Sequence, residues 1–160
     1  MRISLDSASV MTPLGQMVVT ASKKGLARIA WSEESGPPTS NPYCLEAVEW
    51  VSAFFEGNVL PSPKLDDSSL TSFQSDVCRS LMETGWGETT TYGELAQSVN
   101  KPKASRAVGS VMAMNPWPLL VPCHRVLQAN GNLGNYSAAE GPKTKTWLLG
   151  FERHAEHGDL

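Results

Sequence analysis

The sequence predicts an α+β fold. Short β-rich segments crowd the first third of the chain, helical spacing of apolar residues dominates from Thr71 onward, and Asn58–Ser69, with two prolines and two aspartates, breaks the chain between them. Proline and aspartate favour turns over continuous elements, so this stretch reads as a linker. Two domains are expected, residues 1–68 with the linker and residues 69–160.

Ile3–Leu5, Gln16–Ala21 and Leu26–Trp31 read as strands of an antiparallel meander, separated by Thr12-Pro13-Leu14-Gly15 and Lys23-Lys24-Gly25. Ser35–Pro42 is a Pro/Ser/Gly loop. Leu45, Val48, Val51, Phe54 and Phe55 then recur at helical spacing until Gly57. In the second half, Thr71–Met82 is a helix with Phe73, Val77, Leu81 and Cys78 inward. Tyr92–Val99 is a short helix entered from Thr89-Thr90-Thr91, any of which supplies a capping oxygen. Lys101-Pro102-Lys103 turns the chain into Ala104–Met114, and the two helices form a helix-turn-helix. Asn115-Pro116 ends the last of these, Ala129–Leu133 reads as a hairpin or wing, Lys143–Phe151 is the final helix, and His154–Leu160 is a loose polar tail.

Composition excludes several classes. No run of eighteen apolar residues and no basic-then-apolar leader occurs, so neither a membrane span nor a signal peptide is expected. Cys44, Cys78 and Cys123 are odd in number and widely spaced, which argues against a disulfide framework and a zinc site and suits a reducing compartment. Net charge is −3, but the charge is uneven. Residues 1–68 hold five Lys/Arg and eight Asp/Glu, whereas no acid lies between Glu94 and Glu140, where Lys101, Lys103, Arg106 and Arg125 fall. A local field of one sign can face a phosphate backbone even on an acidic chain.

The chemistry concentrates in Pro122-Cys123-His124-Arg125-Val126, reached through Trp117-Pro118-Leu119-Leu120-Val121. Proline stiffens the approach to Cys123, and an imidazole one residue on can take the thiol proton. The thiolate is the nucleophile, and activation by this imidazole, with Glu152 more distant, predicts a Cys123 thiol that titrates below the ordinary value of about 8.5. The helix 104–114 is unusually small-faced, with Ala104, Ser105, Ala107, Gly109, Ser110 and Ala113, and carries one long cation, Arg106. Small residues permit close backbone approach, which suits a minor groove better than base reading by long side chains.

From Ser105 to Val126, then through Gly134-Asn135-Tyr136-Ser137, Trp147-Leu148-Leu149 and Glu152, the chain resembles the O6-alkylguanine-DNA alkyltransferases, repair proteins that move an alkyl group from guanine onto their own cysteine. The likeness is dense from about Phe73 to Glu152 and loose before it. It implies a ribonuclease H-like first domain, a winged helix-turn-helix second domain, and irreversible transfer from O6-alkylguanine, with O4-alkylthymine as a further substrate. The implied partner is double-stranded DNA bound through the minor groove, with no cofactor, metal or membrane. A cytoplasmic monomer is expected, nuclear in a eukaryote.

By the same resemblance, Cys123 accepts the alkyl group, His124 draws its proton through a water, and Glu152 orients the imidazole. Asn115 braces the turn. Tyr92 displaces the target phosphate and bonds the purine, and Arg106 fills the gap left by the extruded base, as enzymes acting on a base require. The carbonyls of Cys123 and Val126 accept from the guanine amine, Ser137 donates toward O6, and Tyr136 and Pro118 wall the pocket. Ala107 and Ser110 on the small face, with Gln74, Gly93 and Lys101, contact the DNA.

After Ser137 the family's usual glycine pair is replaced by Ala138-Ala139, followed by Glu140-Gly141-Pro142. Two other classes stay open on the residues alone. One is a relative that binds alkylated DNA without repairing it, although such relatives lack the cysteine. The other is a cysteine hydrolase built on Cys123, His124 and Glu152, for which Arg106 and the small-faced helix have no use.

Overall fold

The computed structural model describes residues 5–134, 136 and 138–156, and the chain divides into two compact units, Met1–Ser69 and Leu70–Leu160. It is an α+β fold, as the sequence predicts.

In the first unit, β1 (Asp6–Thr12), β2 (Gly15–Ala21) and β3 (Leu26–Trp31) form an antiparallel sheet in the order β1-β2-β3. Along β2, Met17, Val19 and Ala21 alternate onto the buried face, the period-2 pattern of a half-covered sheet. The covering element is α1 (Pro42–Phe55), which buries Cys44, Ala47, Trp50, Val51 and Phe54. It starts three residues before the apolar spacing suggests, because Asn41 accepts from the N–H groups of Tyr43 and Cys44 and Pro42 suits the first turn.

One expectation needs correction here. The first strand is Asp6–Thr12, not Ile3–Leu5; residues 1–4 lie outside the described residues and Leu5 precedes the strand. Asp6-Ser7-Ala8-Ser9 has little β-propensity, and its extended form comes from pairing with β2, from Asp6 opposite Ala21 to Thr12 opposite Gly15. Part of the linker segment is fastened to the sheet. Leu26 donates to Lys64 O at 2.7 Å, Asp66 donates to Leu26 O at 2.8 Å, and Ser22 Oγ donates to the Asp66 carboxylate at 2.6 Å. Gly25 makes room for this clasp: a Cβ there would stand 2.6 Å from the Lys64 carbonyl oxygen, and its φ of 153° lies in the region that favours glycine.

The second unit holds α2 (Ser72–Leu81), β4 (Thr90–Thr91), α3 (Tyr92–Ser98), α4 (Ser105–Met114), a 3-10 turn (Cys123–Arg125), β5 (Val126–Leu127) and α5 (Pro142–Glu156). Thr71 and Gln74 close α2 with a reciprocal capping box, and Thr91 caps α3. Between α3 and α4, Lys101 N–H bonds Ala96 O and Ala104 N–H bonds Lys101 O, which makes the turn between the two helices tight.

Neither β4 nor β5 was expected. They pair in parallel, Thr90 with Val126 and Thr91 with Leu127, where two-residue strands give too short a pattern to see in sequence. Ala129–Leu133 is correspondingly not a two-stranded hairpin among the described residues. Gln128 N–H bonds Asn132 O in a closed turn, and β5 spends its ladder on β4. The final helix runs on through His154 to Glu156, so these residues are helical rather than part of a loose tail; residues 157–160 lie outside the described residues.

Candidate active site

The β4–β5 pair sets the site. Tyr92 follows β4 directly and Cys123 stands three residues before β5, so pairing Thr90 with Val126 brings the start of α3 to the 3-10 turn. The approach to Cys123 is held rigidly. The Asn115 side chain accepts from Trp117 N–H at 2.9 Å and donates to Val121 O at 2.8 Å, and Cys123 N–H bonds Val121 O at 2.7 Å. Inside this turn Leu119 is buried with a φ of 77°, a left-handed conformation rare for a side chain of its size. Its burial and the Asn115 bridge hold the chain there.

Cys123 lies against a cavity of about 520 Å³ lined also by Tyr92, Arg106, Ser110, Asn115, Pro118 and Tyr136 among the residues anticipated. Gln128, Met112 and Ala138 line it as well. Of the other anticipated residues, His124, Val126 and Glu152 are buried and do not line the cavity. Ala107 and Lys101 are exposed, Gly93 and Gln74 are half-buried, and none of the four lines the cavity. The Gln74 side-chain oxygen is taken by Thr71 N–H in the capping box. Ser137 lies outside the described residues.

Behind Cys123 sits a buried polar cluster. His124 Nε2 and Glu152 Oε2 are 2.6 Å apart, and Arg125 grips the same carboxylate with two hydrogen bonds of 2.8 Å. Arg125 also donates to Thr84 O at 2.6 Å. Arg125 was read as part of the basic field facing DNA; only 5% of its surface is exposed, so that expectation is corrected. A guanidinium fork matches a carboxylate in two parallel bonds, and a buried carboxylate needs such a partner. Burial alone would raise the Glu152 carboxyl, but its His124 and Arg125 partners hold it below the ordinary carboxylate range.

That ionised carboxylate fixes the imidazole. Glu152 only accepts, so Nε2 of His124 carries the proton and Nδ1 is a bare acceptor. Nδ1 is buried without a hydrogen-bond partner among the described residues. Burial lowers the His124 pKa despite the opposing pull of Glu152, which keeps the ring neutral and able to take a proton. The Cys123 thiol departs from expectation. Burial pushes it above its ordinary value, while the Asn115 amide, the Lys145 charge and the Tyr136 hydroxyl pull it down. The resting group is thus a thiol, and a base is needed to make it a nucleophile.

Lys145 escaped the sequence reading. It has no exposed surface, and its Nζ donates to Val126 O at 2.6 Å and to Leu133 O. A Lys two positions before Trp147 on an amphipathic helix gives no sign of pointing inward. On the open side of the site, Arg106, Ala107, Ser110 and Ala113 of α4 are exposed, and no cap side chain closes the helix at Ala104. Among the described residues no group of three or more His, Cys, Asp or Glu is arranged to hold a metal, and no helix is long and apolar enough to cross a membrane.

A thiol beside a cavity of about 520 Å³, backed by a neutral imidazole on a buried carboxylate, defines a cysteine-nucleophile protein. Residues 72–154 match the family model described as 6-O-methylguanine DNA methyltransferase, DNA binding domain. The methylated-DNA–protein-cysteine methyltransferase of Rattus norvegicus is 34% identical, aligned over 88% of this chain and 78% of that protein. Its counterpart in Methanosarcina acetivorans is 35% identical, over 88% and 94% respectively. The Mycobacterium tuberculosis OGT crystallised in complex with DNA superposes with a TM-score of 0.79 at 30% identity, covering 93% of each chain. The chain belongs to the O6-methylguanine-DNA methyltransferase family.

Proposed function

We propose that this chain repairs alkylated DNA by direct reversal, moving a methyl or other alkyl group from O6-alkylguanine to Sγ of Cys123, once per molecule. The observation that carries this is the Cys123 thiol at a 520 Å³ cavity with a neutral, Glu152-bound His124 behind it. The relatives named above act on methylated DNA and one was crystallised with DNA, which supports the same substrate and partner here.

The proton of Cys123 passes to Nδ1 of His124, through a water as the family resemblance implies, and Glu152 offsets the imidazolium charge. The thiolate sulfur attacks the alkyl carbon, a carbon–sulfur bond forms, and the carbon–oxygen bond breaks. Its electron pair leaves on O6, and the proton that His124 took from the thiol passes on to the guanine, which restores both the base and the neutral imidazole. The thioether has no route back, so the protein is consumed.

The two helices α3 and α4 act as the DNA-binding helix-turn-helix of the second unit. The exposed Arg106, Ala107 and Ser110, with Lys101, Gly93 and Gln74 around them, meet the minor groove, and Arg106 occupies the stack vacated by the target base. Tyr92, Pro118 and Tyr136 enclose the base, Asn115 braces the turn, the carbonyls of Cys123 and Val126 accept from its amine, and Ser137 donates toward O6. Each carbonyl already takes one bond, from Val126 N–H and Lys145 Nζ respectively, and keeps a second lone pair. Three free thiols suit a reducing, cytoplasmic setting, and the protein acts as a monomer.

Intact mass after exposure to duplex O6-methylguanine tests the reading. One added CH₂ located on Cys123, and none for Cys123→Ala with lesion binding kept, is the expected result. Tight binding without a mass change gives a lesion-marking protein instead. Repeated turnover, or alkylation found on Cys44 or Cys78, overturns the proposal.

A further inference from the structure

Two side chains meet on one buried carboxylate, and both use the same oxygen. Glu152 Oε2 takes a bond from His124 Nε2 at 2.6 Å and another from Arg125 Nη2 at 2.8 Å, while Arg125 Nε donates to Oε1 at 2.8 Å. The guanidinium is itself anchored. Its Nη1 donates to Thr84 O at 2.6 Å and to Thr84 Oγ1 at 3.2 Å, in a turn that Thr84 closes onto Leu81 O. Arg125 thus ties the turn after α2 to the carboxylate of α5, against which the base lies.

The transfer chemistry uses His124 and Glu152 and leaves this cation without a part. A buried carboxylate facing only an imidazole carries an uncompensated charge, and a proton drawn onto the ring would offset it. The ring would then rest as imidazolium, which has no lone pair to take the thiol proton. With Arg125 in place the carboxylate is already compensated. We propose that Arg125 is a positioning residue for the base: by gripping both oxygens of Glu152 and sharing Oε2 with His124, it keeps the ring in the neutral form protonated at Nε2, with Nδ1 open to accept the Cys123 proton. This rests on the alkyl-transfer reading above.

The charged groups that face His124 are Glu152 and Lys145 from α5 and Arg125 from its own turn, with the Cys123 thiol preceding it in the chain. Burial lowers the His124 pKa most, Glu152 raises it, and the two cations lower it further. Of the cations, Arg125 bonds the carboxylate, whereas Lys145 Nζ bonds the carbonyls of Val126 and Leu133. Removing Arg125 therefore acts on the ring twice in one direction. A nearby positive charge is lost, and Oε2 turns wholly to the imidazole, so the ring holds a proton more tightly.

Two measurements on the full chain test this, each within the pH range where near-ultraviolet circular dichroism shows the protein folded. One is the titration of the His124 ring in the DNA-free protein, read from its ¹⁵N shifts and assigned with His124→Gln. The other is the pH profile of single-turnover transfer from a saturating O6-methylguanine duplex. In Arg125→Met the ring titration and the acid limb of the profile should both move up by about one pH unit, a tenfold loss of neutral ring on the acid side. If Arg125→Met does not fold, Arg125→Lys, which keeps a charge but cannot span both oxygens, should move them in the same direction by less. A role in stability alone would scale the rate at every pH and leave both midpoints in place. Unmoved midpoints in the folded variant overturn the proposal. A ring titration that moves as expected in a protein that transfers nothing at any pH removes the transfer reading instead, and leaves the hold of Arg125 on the ring standing.

Discussion

Glu152 bonds His124 through Nε2 at 2.6 Å and so leaves the other ring nitrogen, Nδ1, buried and without a hydrogen-bond partner among the described residues. One carboxylate thereby decides both the tautomer and the charge of the base. Since Arg125 alone supplies two further bonds to that carboxylate, its loss should be costly in a specific way. Arg125→Met leaves a buried carboxylate facing one imidazole, and breaking a buried pair on one side costs about 3–5 kcal/mol. Denaturant unfolding should show that loss, and Arg125→Lys should recover only part of it, because an ammonium cannot reproduce the fork. A variant as stable as wild type contradicts the assignment.

Stability should fall as the solution is acidified, in two stages of the same sign. Folding depresses the His124 pKa, so the unfolded chain binds the proton more readily and stability declines once pH drops below about 6.5. Folding also depresses Glu152, whose contribution is present above its unfolded value of about 4.3 and is lost as pH falls toward the folded value. Urea midpoints measured across this range check it. In His124→Gln the upper stage should vanish while the lower stays; an unchanged profile in that variant refutes the assignment.

Cys44 and Cys78 should be inert in the folded protein. Burial first, then the nearby Cys123 thiolate, pushes Cys78 up to about 11, and burial raises Cys44. The thiolate is the reactive form, so iodoacetamide near neutral pH should leave both unlabelled until denaturant is added. Rapid native labelling of Cys78 would show that the core opens around it.

Arg106 is exposed on α4 and lines the cavity, placing it between solvent and site. Arg106→Ala should slow repair of duplex DNA far more than reaction with free O6-methylguanine base, because only the duplex has to be opened. Equal losses on both substrates would assign the residue to chemistry or stability.

The rim predicts substrate size. Ala138 lines the cavity, and Ala139 adopts a φ of 48°, where glycine is the favoured residue. O6-benzylguanine, which needs a ring's depth against Tyr136 and Pro118, should react slowly, and Ala138→Gly should accelerate it. Discrimination by pocket size is worth about 1–3 kcal/mol, or roughly 10–200-fold. Fast benzyl transfer by wild type, with no gain in the variant, would count against it.

What was legible in the sequence is what periodicity and caps encode. β3 spans the β-rich segment Leu26–Trp31 that the preceding turn residues mark off, and Thr71 and Thr91 cap the helices they announce. The Pro122-Cys123-His124 motif pointed to the candidate nucleophile and base, and the cavity gathers Tyr92, Arg106 and Tyr136 around Cys123. Contacts set by distant partners left no such trace. Asp6–Ser9 is a strand only because β2 lies beside it, and β4 and β5 are two residues each. Arg125 and Lys145 look like solvated charges until Glu152 and the Val126 carbonyl are placed beside them. The raised Cys123 thiol was missed for the same reason, since a local motif shows the base but not the burial around it.

Lys64–Asp66 fastened on Leu26 bears on how the chain can be dissected. A fragment trimmed at the prolines would discard the partner of both polar backbone groups of Leu26, along with the carboxylate that Ser22 binds. Leu26 has no surface of its own to offer water instead. The safe place to separate the halves is therefore after Asp67, and any insertion, tag or circular permutation aimed at this tether belongs in the two or three residues that follow.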